Sequence, residues 1–535
     1  MRKRLIASGI VFLLFASGCG QKPNVHVLTA GTQSAGNLTG NAVAAGPASQ
    51  AGPQTTGGSV GSSAVAHSST AKAAANAGTG SNVATSGDST GVSKTTIIVG
   101  FHAPITGAAS VPLTDIRYGA DLLAAFFKKH GATINGRLVQ TFIEDDQYNP
   151  SHATAVCRDL AEQKHAFFLV GGGGTDQVVA CARYAATKGI PYLSPGVTEN
   201  TVKSLRNYFA ITPSYPQQAK PLVELIHNVS IPAKANDQPG PVFADRCNET
   251  TLSCADPFKP LQAGPNQPKV AMIYSDTDGF YDARDAFVKE MKSQMGLDCS
   301  NDAARTPRCL LKTITKYSID SSTAGGIATT FKQSGYDVVY ILTAPTNWIT
   351  LMNATDQQSY WPLWVGVGVT DGLNIVTTIE CKSHPAGIQN SLFFSPWFSV
   401  YDPGAAQFAD TWNNNTPAGA TPDPHDHDLA FAVFGGAITQ AAILTVATNN
   451  PTHALTRQSF MAAMEKLQNF TWQDSFGYPN PLHIDQVYST VGYSPTDHFG
   501  AHQVNLVWAH CSGNQQGASG YFDFFPGLGK LVTGF

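Results

Sequence analysis

The sequence predicts an α/β protein built from two doubly wound parallel sheets. Three observations carry that prediction. Short β-branched or apolar runs alternate with stretches of helical period. The alternation comes in two blocks, separated by a Pro- and Asn-rich segment over 228–268. About 440 residues follow the N-terminal signal and linker, more than one hydrophobic core usually holds, so two lobes are expected.

In the first block, Thr95 to Gly100 (TTIIVG) is a strand, and its closing glycine opens a loop over His102 to Thr114. Ala120, Leu123, Ala124 and Phe127 recur at helical spacing, which predicts a helix over Ile116 to Lys129. Leu138 to Ile143 is a strand running into Glu144-Asp145-Asp146. Ser151 is the expected N-cap of a helix ending near Gln163. Ala166 to Val170 is the third strand, Gly171 to Thr175 a glycine loop, Gln177 to Lys188 a helix and Ile190 to Leu193 the fourth strand.

The second block repeats the rhythm. Strands are predicted at Lys269 to Tyr274, Val338 to Leu342 and Leu363 to Val367. Helices are predicted at Tyr281 to Met295, Thr323 to Ser334 and Asn347 to Asp356, with a later one over Leu429 to Thr448. Open α/β sheets bind ligands beyond the carboxyl ends of their strands, where loops feed helix N-termini. Four loops meet that description: Ala103–Thr114, Gly171–Gln177, Ser194–Asn200 and Ser275–Tyr281. If two lobes face each other, these loops line a clamp for a small molecule.

The N-terminus places the chain outside the cytoplasm. Met1-Arg2-Lys3-Arg4 is a basic start, Leu5 to Phe15 is a short apolar run, and Ala16-Ser17-Gly18-Cys19 is a small-residue cleavage site. That run is too short to span a hydrocarbon core, which needs about 20 residues. The four residues ending at Cys19 resemble the lipobox of bacterial lipoproteins, and the resemblance implies a diacylglycerol thioether on Cys19. Residues 20–94 are dominated by Gly, Ala, Ser, Thr and Asn, a composition that cannot bury enough surface to fold, so a disordered stalk is expected. About 75 residues of such a coil reach about 45–50 Å root-mean-square.

Charge and cysteine usage narrow the function classes. The net charge is −4 and only 13% of residues are charged, with no basic block beyond the signal, so nucleic acid is excluded as a partner. Besides Cys19 there are eight cysteines, an even number in an exported chain, which favours disulfides. Proximity predicts Cys157–Cys181, Cys247–Cys254 and Cys299–Cys309, leaving Cys381–Cys511, although eight cysteines allow 105 pairings. Zinc is the competing use, but no CxxC pair occurs.

Several motifs, in order, resemble one family. Ile97-Ile98-Val99-Gly100 is followed by Pro104-Ile105-Thr106-Gly107 and Tyr118-Gly119-Ala120. Glu144-Asp145-Asp146, the VGGGGT loop ending at Thr175, and Gly189 to Gly196 (GIPYLSPG) come next, then Tyr274-Ser275-Asp276 and the strand Val338 to Leu342. Together they resemble the type I periplasmic binding proteins, the solute receptors of branched-chain amino acid ABC transporters and of related amide and urea systems. The resemblance spans most of 95–535, with insertions near 229–268 and 298–312.

The resemblance implies two Rossmann-like lobes joined by three hinge crossovers, and no enzymatic activity. Lobe 1 would comprise 95–213 and 397–480, and lobe 2 would comprise 214–396 and 481–535. That division puts Cys157 and Cys181 together and leaves no lobe with an odd cysteine. It further implies that Thr175 and Thr198, with the backbone of Gly196, contact the ligand's carboxylate and ammonium, and that Phe280 or Tyr281 covers it. The family's ammonium-pairing carboxylate has no match in Gly366-Val367-Gly368, and the nearest acid is Asp371. Pro112 stands where amino-acid receptors often carry an aromatic residue. The implied partners are a small-molecule solute, an ABC permease, and the membrane through the lipid; no cofactor is implied. A sensor or surface lipoprotein using the same clamp without transport is the alternative.

Three rival features weigh less. Gly171 to Gly174 lacks the GxGxxG spacing of a dinucleotide loop. Asp423 to Asp428 (DPHDHD) has metal-like spacing, but an acidic start to the helix near Leu429 explains it, so no metal is assigned. Trp348, Trp361, Trp364, Trp397 and Trp412 fit core or hinge packing better than ligand stacking.

Overall fold

The computed structural model describes residues 87–109, 111, 113–130, 134, 136–228, 247–248, 253–254, 267–302, 307–314, 319–367, 380–395, 397, 406–420, 422–424, 427–433, 455–468, 491–511, 521–524 and 532–533. They form two parallel-dominated sheets, each layered with helices, in the two-lobed arrangement expected.

Lobe 1 opens with β1 (Thr96–Ala103), α1 (Leu113–His130), β2 (Leu138–Asp145), α2 (Pro150–Glu162), β3 (Phe168–Gly171), α3 (Thr175–Thr187), β4 (Tyr192–Ser194) and β5 (Tyr208–Ala210). Its strands are parallel in the order β2-β1-β3-β4-β5. After a crossover, lobe 2 contributes α4 (Tyr215–Asn228), the small ladder of β6 (Cys247–Asn248) and β7 (Ser253–Cys254), β8 (Val270–Ser275), α5 (Asp278–Met295), β9 (Cys299–Ser300) and β10 (Cys309–Ile314). It continues with α6 (Ser321–Ser334), β11 (Val338–Leu342), α7 (Pro345–Asp356), β12 (Leu363–Val367), α8 (Pro385–Gln389) and β13 (Ser391–Ser395). The chain returns to lobe 1 for α9 (Ala406–Asn414) and α10 (Arg457–Met464), then closes lobe 2 with β14 (Gln503–His510), β15 (Tyr521–Phe524) and β16 (Val532–Thr533). The second sheet runs β15-β14-β13-β12-β11-β8-β10-β9, parallel from β13 to β9 and antiparallel at β14 and β15.

Local chemistry accounts for these elements. β8, β11 and β12 (VAMIYS, VVYIL, LWVGV) are buried at every position, as central strands covered on both faces must be. β2, at a sheet edge, has no fully buried position and exposes Leu138, Gln140 and Thr141. Helices α5 and α6 stop at Gly296 and Gly335, both at φ 66°, where a side chain would be strained. Trp348, Trp364, Trp397 and Trp412 are core residues, and Trp361 donates its indole N–H to Asp356 at 2.6 Å. Among the described residues no helix is long and apolar enough to cross a membrane.

Disulfides join Cys157 to Cys181, Cys299 to Cys309 and Cys381 to Cys511. The first ties α2 to α3, and the second ties β9 to β10. The register of β6 on β7 sets Cys247 opposite Cys254, whose side chains lie outside the described residues, as does Cys19.

Helix starts fall two or three residues earlier than expected, as at Leu113, Thr175 and Asp278, and four larger features differ from the sequence expectation. Residues 87–94 belong to the fold, not to the linker. Asp88 pairs with buried Arg457, whose guanidinium also donates to the carbonyls of Ala166 and Phe167, and Val92 bridges to Ile97. The remainder of the predicted stalk, 20–86, lies outside the described residues. The cap of α2 is Asn149 rather than Ser151: its Oδ1 accepts from the amides of Ser151 (2.9 Å) and His152 (3.1 Å), and Pro150 fills the first helical position. The segment 298–312, expected as an insertion, is built into the second sheet: it supplies β9 and most of β10, which pairs in parallel with β8. Finally, the return to lobe 2 falls after Ala501, not at 480–481. The Ala210 amide donates to His498 O and the Gly500 amide to Ala210 O, both at 2.8 Å, so this segment extends the first sheet.

Candidate functional site

Each sheet has one point where the strand order reverses: between β1 and β3 in lobe 1, and between β8 and β11 in lobe 2. The loops leaving the two strands at such a point turn to opposite faces and leave a crevice at the carboxyl ends. The two crevices face each other and share one cleft of ≈ 510 Å³ of empty volume, counted to its open mouth. Lobe 1 lines it with Tyr148, Gly173, Gly174, Thr175, Val178, Pro195 and Val197. Lobe 2 lines it with Phe280, Leu342, Thr343, Pro345 and Val367, and Tyr215 enters at the first crossover. Among the described residues no charged side chain lines the cleft.

The polar end of the cleft is the start of α3. Thr175 is its first residue, buried at 5% exposure, and Gly174 before it has no side chain to fold back on the first-turn amides. Such an N-terminus carries partial positive charge and aims N–H groups outward, which suits an anion. Gln177, two positions further into the same turn, is 1% exposed, and neither amide atom has a hydrogen-bond partner. It packs beside Gly174, where an added Cβ would lie 2.2 Å from its Oε1.

The apolar walls come from both lobes. Phe280, in the first turn of α5, stacks on Tyr215 with ring centroids 6.0 Å apart and planes at 26°. Tyr148 sits opposite on a strained loop, since both Gln147 (φ 55°) and Tyr148 (φ 52°) occupy the left-handed region. Two aspartates hold that loop. Burial works to raise the Asp145 carboxyl, but the Thr106 hydroxyl and the amides of Thr106, Gln147 and Ile105 all donate to it and hold it below the ordinary range. Asp146 accepts the Tyr148 amide at 2.9 Å and meets His102 Nδ1 at 2.7 Å. His102 Nε2 in turn meets the Tyr192 hydroxyl at 2.7 Å, and burial pushes that phenol well above its ordinary pKa. This buried chain ties the end of β1 to the turn after β2 and to the start of β4, beside Gly171.

The other residues expected at the site do not line the cleft. The Gly196 amide donates to Thr212 Oγ1 at 2.6 Å, an internal brace to the crossover. Thr198 is fully buried, and its hydroxyl donates to Asp282 of lobe 2 at 2.7 Å. Tyr281 bonds Asp276 through its hydroxyl, under the Arg284 guanidinium 4.7 Å from its ring centroid. Asp371 and Pro112 lie outside the described residues.

The metal-like cluster also resolves into packing where it is described. His427 Nδ1 meets Asp115 Oδ1 at 2.9 Å and its ring stacks on Trp412 at 4.4 Å, while His425 and Asp426 lie outside the described residues. His102 lies close to the sulfurs of Cys157 and Cys181, but these form a disulfide and offer no thiolate to a metal.

Sequence patterning does not single out Tyr148, Gln177, Tyr215 or Thr343. Of these, Tyr148 has a local signal, the Asn-Pro that follows it and starts a helix.

The model of a family described as periplasmic binding protein matches residues 96–513. No curated protein matches the sequence. Solved structures share the fold. A fatty acid ABC transporter substrate-binding protein from Thermomonospora curvata aligns at TM-score 0.58 and 13% identity, covering 84% of this chain and 95% of that one. The branched-chain amino acid transporter substrate-binding protein LivJ from Streptococcus pneumoniae, in complex with isoleucine, aligns at 0.53 and 15%, covering 80% and 99%. A solute-binding protein of an ABC transporter from Rhodopseudomonas palustris BisB5, in complex with 3,4-dihydroxybenzoic acid, aligns at 0.52 and 13%, covering 82% and 97%.

Proposed function

The chain belongs to the periplasmic binding protein family, whose members bind solutes outside the cytoplasm rather than transform them, and from that premise we propose that it is the solute receptor of an ABC-type importer for a small carboxylate with an apolar or aromatic body. The observation that carries this reading is the cleft itself. It joins a helix N-terminus at Gly174 and Thr175 to a wall of Tyr148, Tyr215, Phe280, Leu342 and Val367, with no charged side chain among its described lining. A carboxylate is satisfied by the α3 amides and the Thr175 hydroxyl, and the body of the solute packs between the lobes. An α-ammonium, by contrast, would be buried without a carboxylate partner among these residues, which is costly. Fatty acid, dihydroxybenzoic acid and isoleucine, named for three proteins of the same fold, all carry a carboxylate.

Closure of the lobes excludes water and strengthens each polar contact inside. Thr175 and Phe280 act directly on the solute in this scheme, and Gly196 shapes the wall from behind. Export by the N-terminal signal and a lipid on Cys19 would hold the receptor near its permease. The test is a thermal-shift screen of the protein against aromatic acids, short and medium fatty acids, amino acids, amides and urea. A simple carboxylate at 100 times its Kd stabilises by about 2.7 kcal/mol, a readily measured rise in Tm. Stabilisation by amino acids in preference to their deaminated analogues would refute the carboxylate-only reading. Mass analysis of the mature N-terminus tests the lipid.

A further inference from the structure

Asp282 reaches across from lobe 2 to lobe 1 without lining the cleft. It lies on α5 and is buried, at 8% exposure. Its Oδ2 accepts the Thr198 hydroxyl at 2.7 Å, the Glu199 amide at 2.6 Å and the Asn200 amide at 3.1 Å. All three donors belong to the turn after β4, in the other lobe. Its second oxygen accepts the amide of Ala283 at 2.8 Å.

Two consecutive amides and a hydroxyl converging on one carboxylate oxygen are what a protein uses to bind an anion, and the bonds are charge-assisted. Here the anion is a side chain of the facing lobe. The donor turn is braced to the hinge, because Ser214 of the first crossover donates its hydroxyl to Glu199 Oε1 at 2.7 Å. Closure therefore has a contact that needs no solute. Beside it, a Cβ on Gly279 would meet the Thr175 methyl at 2.5 Å, and Thr346 donates to Ala108 O at 3.2 Å, so the lobes also pack elsewhere along the cleft.

We infer that Asp282 is an inter-lobe latch, a positioning residue that fixes how far the closed state is populated, and that Thr198 serves this latch instead of the solute. The inference rests on the reading that the lobes close around a solute, yet its test needs none, so an empty solute screen leaves it standing. A latch made of protein groups shifts the open–closed equilibrium by its differential contacts, as a ligand would.

The experiment is hydrogen–deuterium exchange with mass spectrometry on the full chain, disulfides intact, comparing wild type with Asp282→Ala and Thr198→Val. Opening exposes amides on both sides of the cleft while the sheets stay folded. In Asp282→Ala, peptides covering 173–177, 198–200 and 278–280 should exchange roughly tenfold or more faster, with β1 and β8 unchanged. Thr198→Val should move the same segments by less, and the double variant no further than Asp282→Ala alone. Acceleration confined to 198–200 would reduce Asp282 to a local turn cap and overturn the inference, and so would no change in either variant. If Asp282→Ala loosens β1 and β8 as well, Thr198→Val decides: faster exchange at 173–177 and 278–280 upholds the latch, and wild-type rates there overturn it.

Discussion

Gly279→Ala should cripple solute binding while leaving lobe 2 at least as stable. Gly279 sits in the first turn of α5, facing the first turn of α3 across the cleft. A Cβ there would lie 2.5 Å from Thr175 Cγ2, 3.0 Å from Asp176 Oδ1 and 3.2 Å from Thr175 Cβ. Carbon atoms pack best at about 3.5–4.0 Å, so the new methyl is about 1 Å too close to the first of these. Within the helix the same substitution is favourable by about 0.5–1 kcal/mol, because alanine loses less backbone freedom than glycine. Turning the buried Thr175 side chain leaves its Cβ at 3.2 Å, so the clash is relieved chiefly by moving the lobes apart. Overpacking of this kind costs about 1–3 kcal/mol, and when it falls on the closed state alone it weakens affinity roughly 5- to 150-fold. Thr175→Ser removes the offending methyl and keeps the hydroxyl, so the double variant should recover part of the loss. Calorimetric Kd for a solute found by the screen, read beside the Tm without solute, checks both. Binding within twofold of wild type in Gly279→Ala, or no recovery in the double variant, would refute closure through this contact.

Four further outcomes follow from the same geometry. Thr175→Val keeps the shape of the side chain and removes its hydroxyl, so the calorimetric Kd should rise by roughly 2- to 12-fold, from about 0.5–1.5 kcal/mol per hydrogen bond; an unchanged Kd would remove Thr175 from the site. Gly171→Ala drives a methyl to 1.8 Å from the Tyr192 hydroxyl and 2.5 Å from His102 Nε2, and denaturant unfolding should show a loss of about 1–3 kcal/mol or more. Burial, with the Asp356 carboxylate adding and His384 opposing, raises Glu380 from 4.5 to about 7. The unfolded chain then ionises first, so stability falls as pH rises from about 4.5 to about 7, by about 3 kcal/mol at most. Glu380→Gln should therefore gain on wild type at pH 8 and not at pH 4.5, and a pH-independent difference in unfolding free energy would contradict it. Removing the Cys157–Cys181 bridge, which closes a separation of 24 residues, should cost about 3 kcal/mol in the same unfolding assay.

The sequence by itself determined the strands and helices whose signal is local. VVYIL and LWVGV became β11 and β12 at the limits read from them, because a strand covered on both faces needs an unbroken apolar run. The pairing of Cys157 with Cys181 was equally legible, since adjacent helices on one sheet face bring near neighbours together. The helix after the glycine loop was legible too, although it begins at Thr175, two residues before the expected Gln177.

The tertiary structure alone decided which groups meet across distance. Asp88 falls in the expected linker, and Arg457, 369 residues away, is what ties it to the fold. The 498–500 segment joined the first sheet because the edge of β5 offered Ala210 two unpaired backbone bonds. Thr198 is expected at the solute, and its hydroxyl donates to Asp282, 84 residues on in the chain. Spacing along a chain reports periodicity and not which loop will face which. A hydroxyl's partner is set by the packing of two lobes, and that packing is the sum of contacts no single segment encodes.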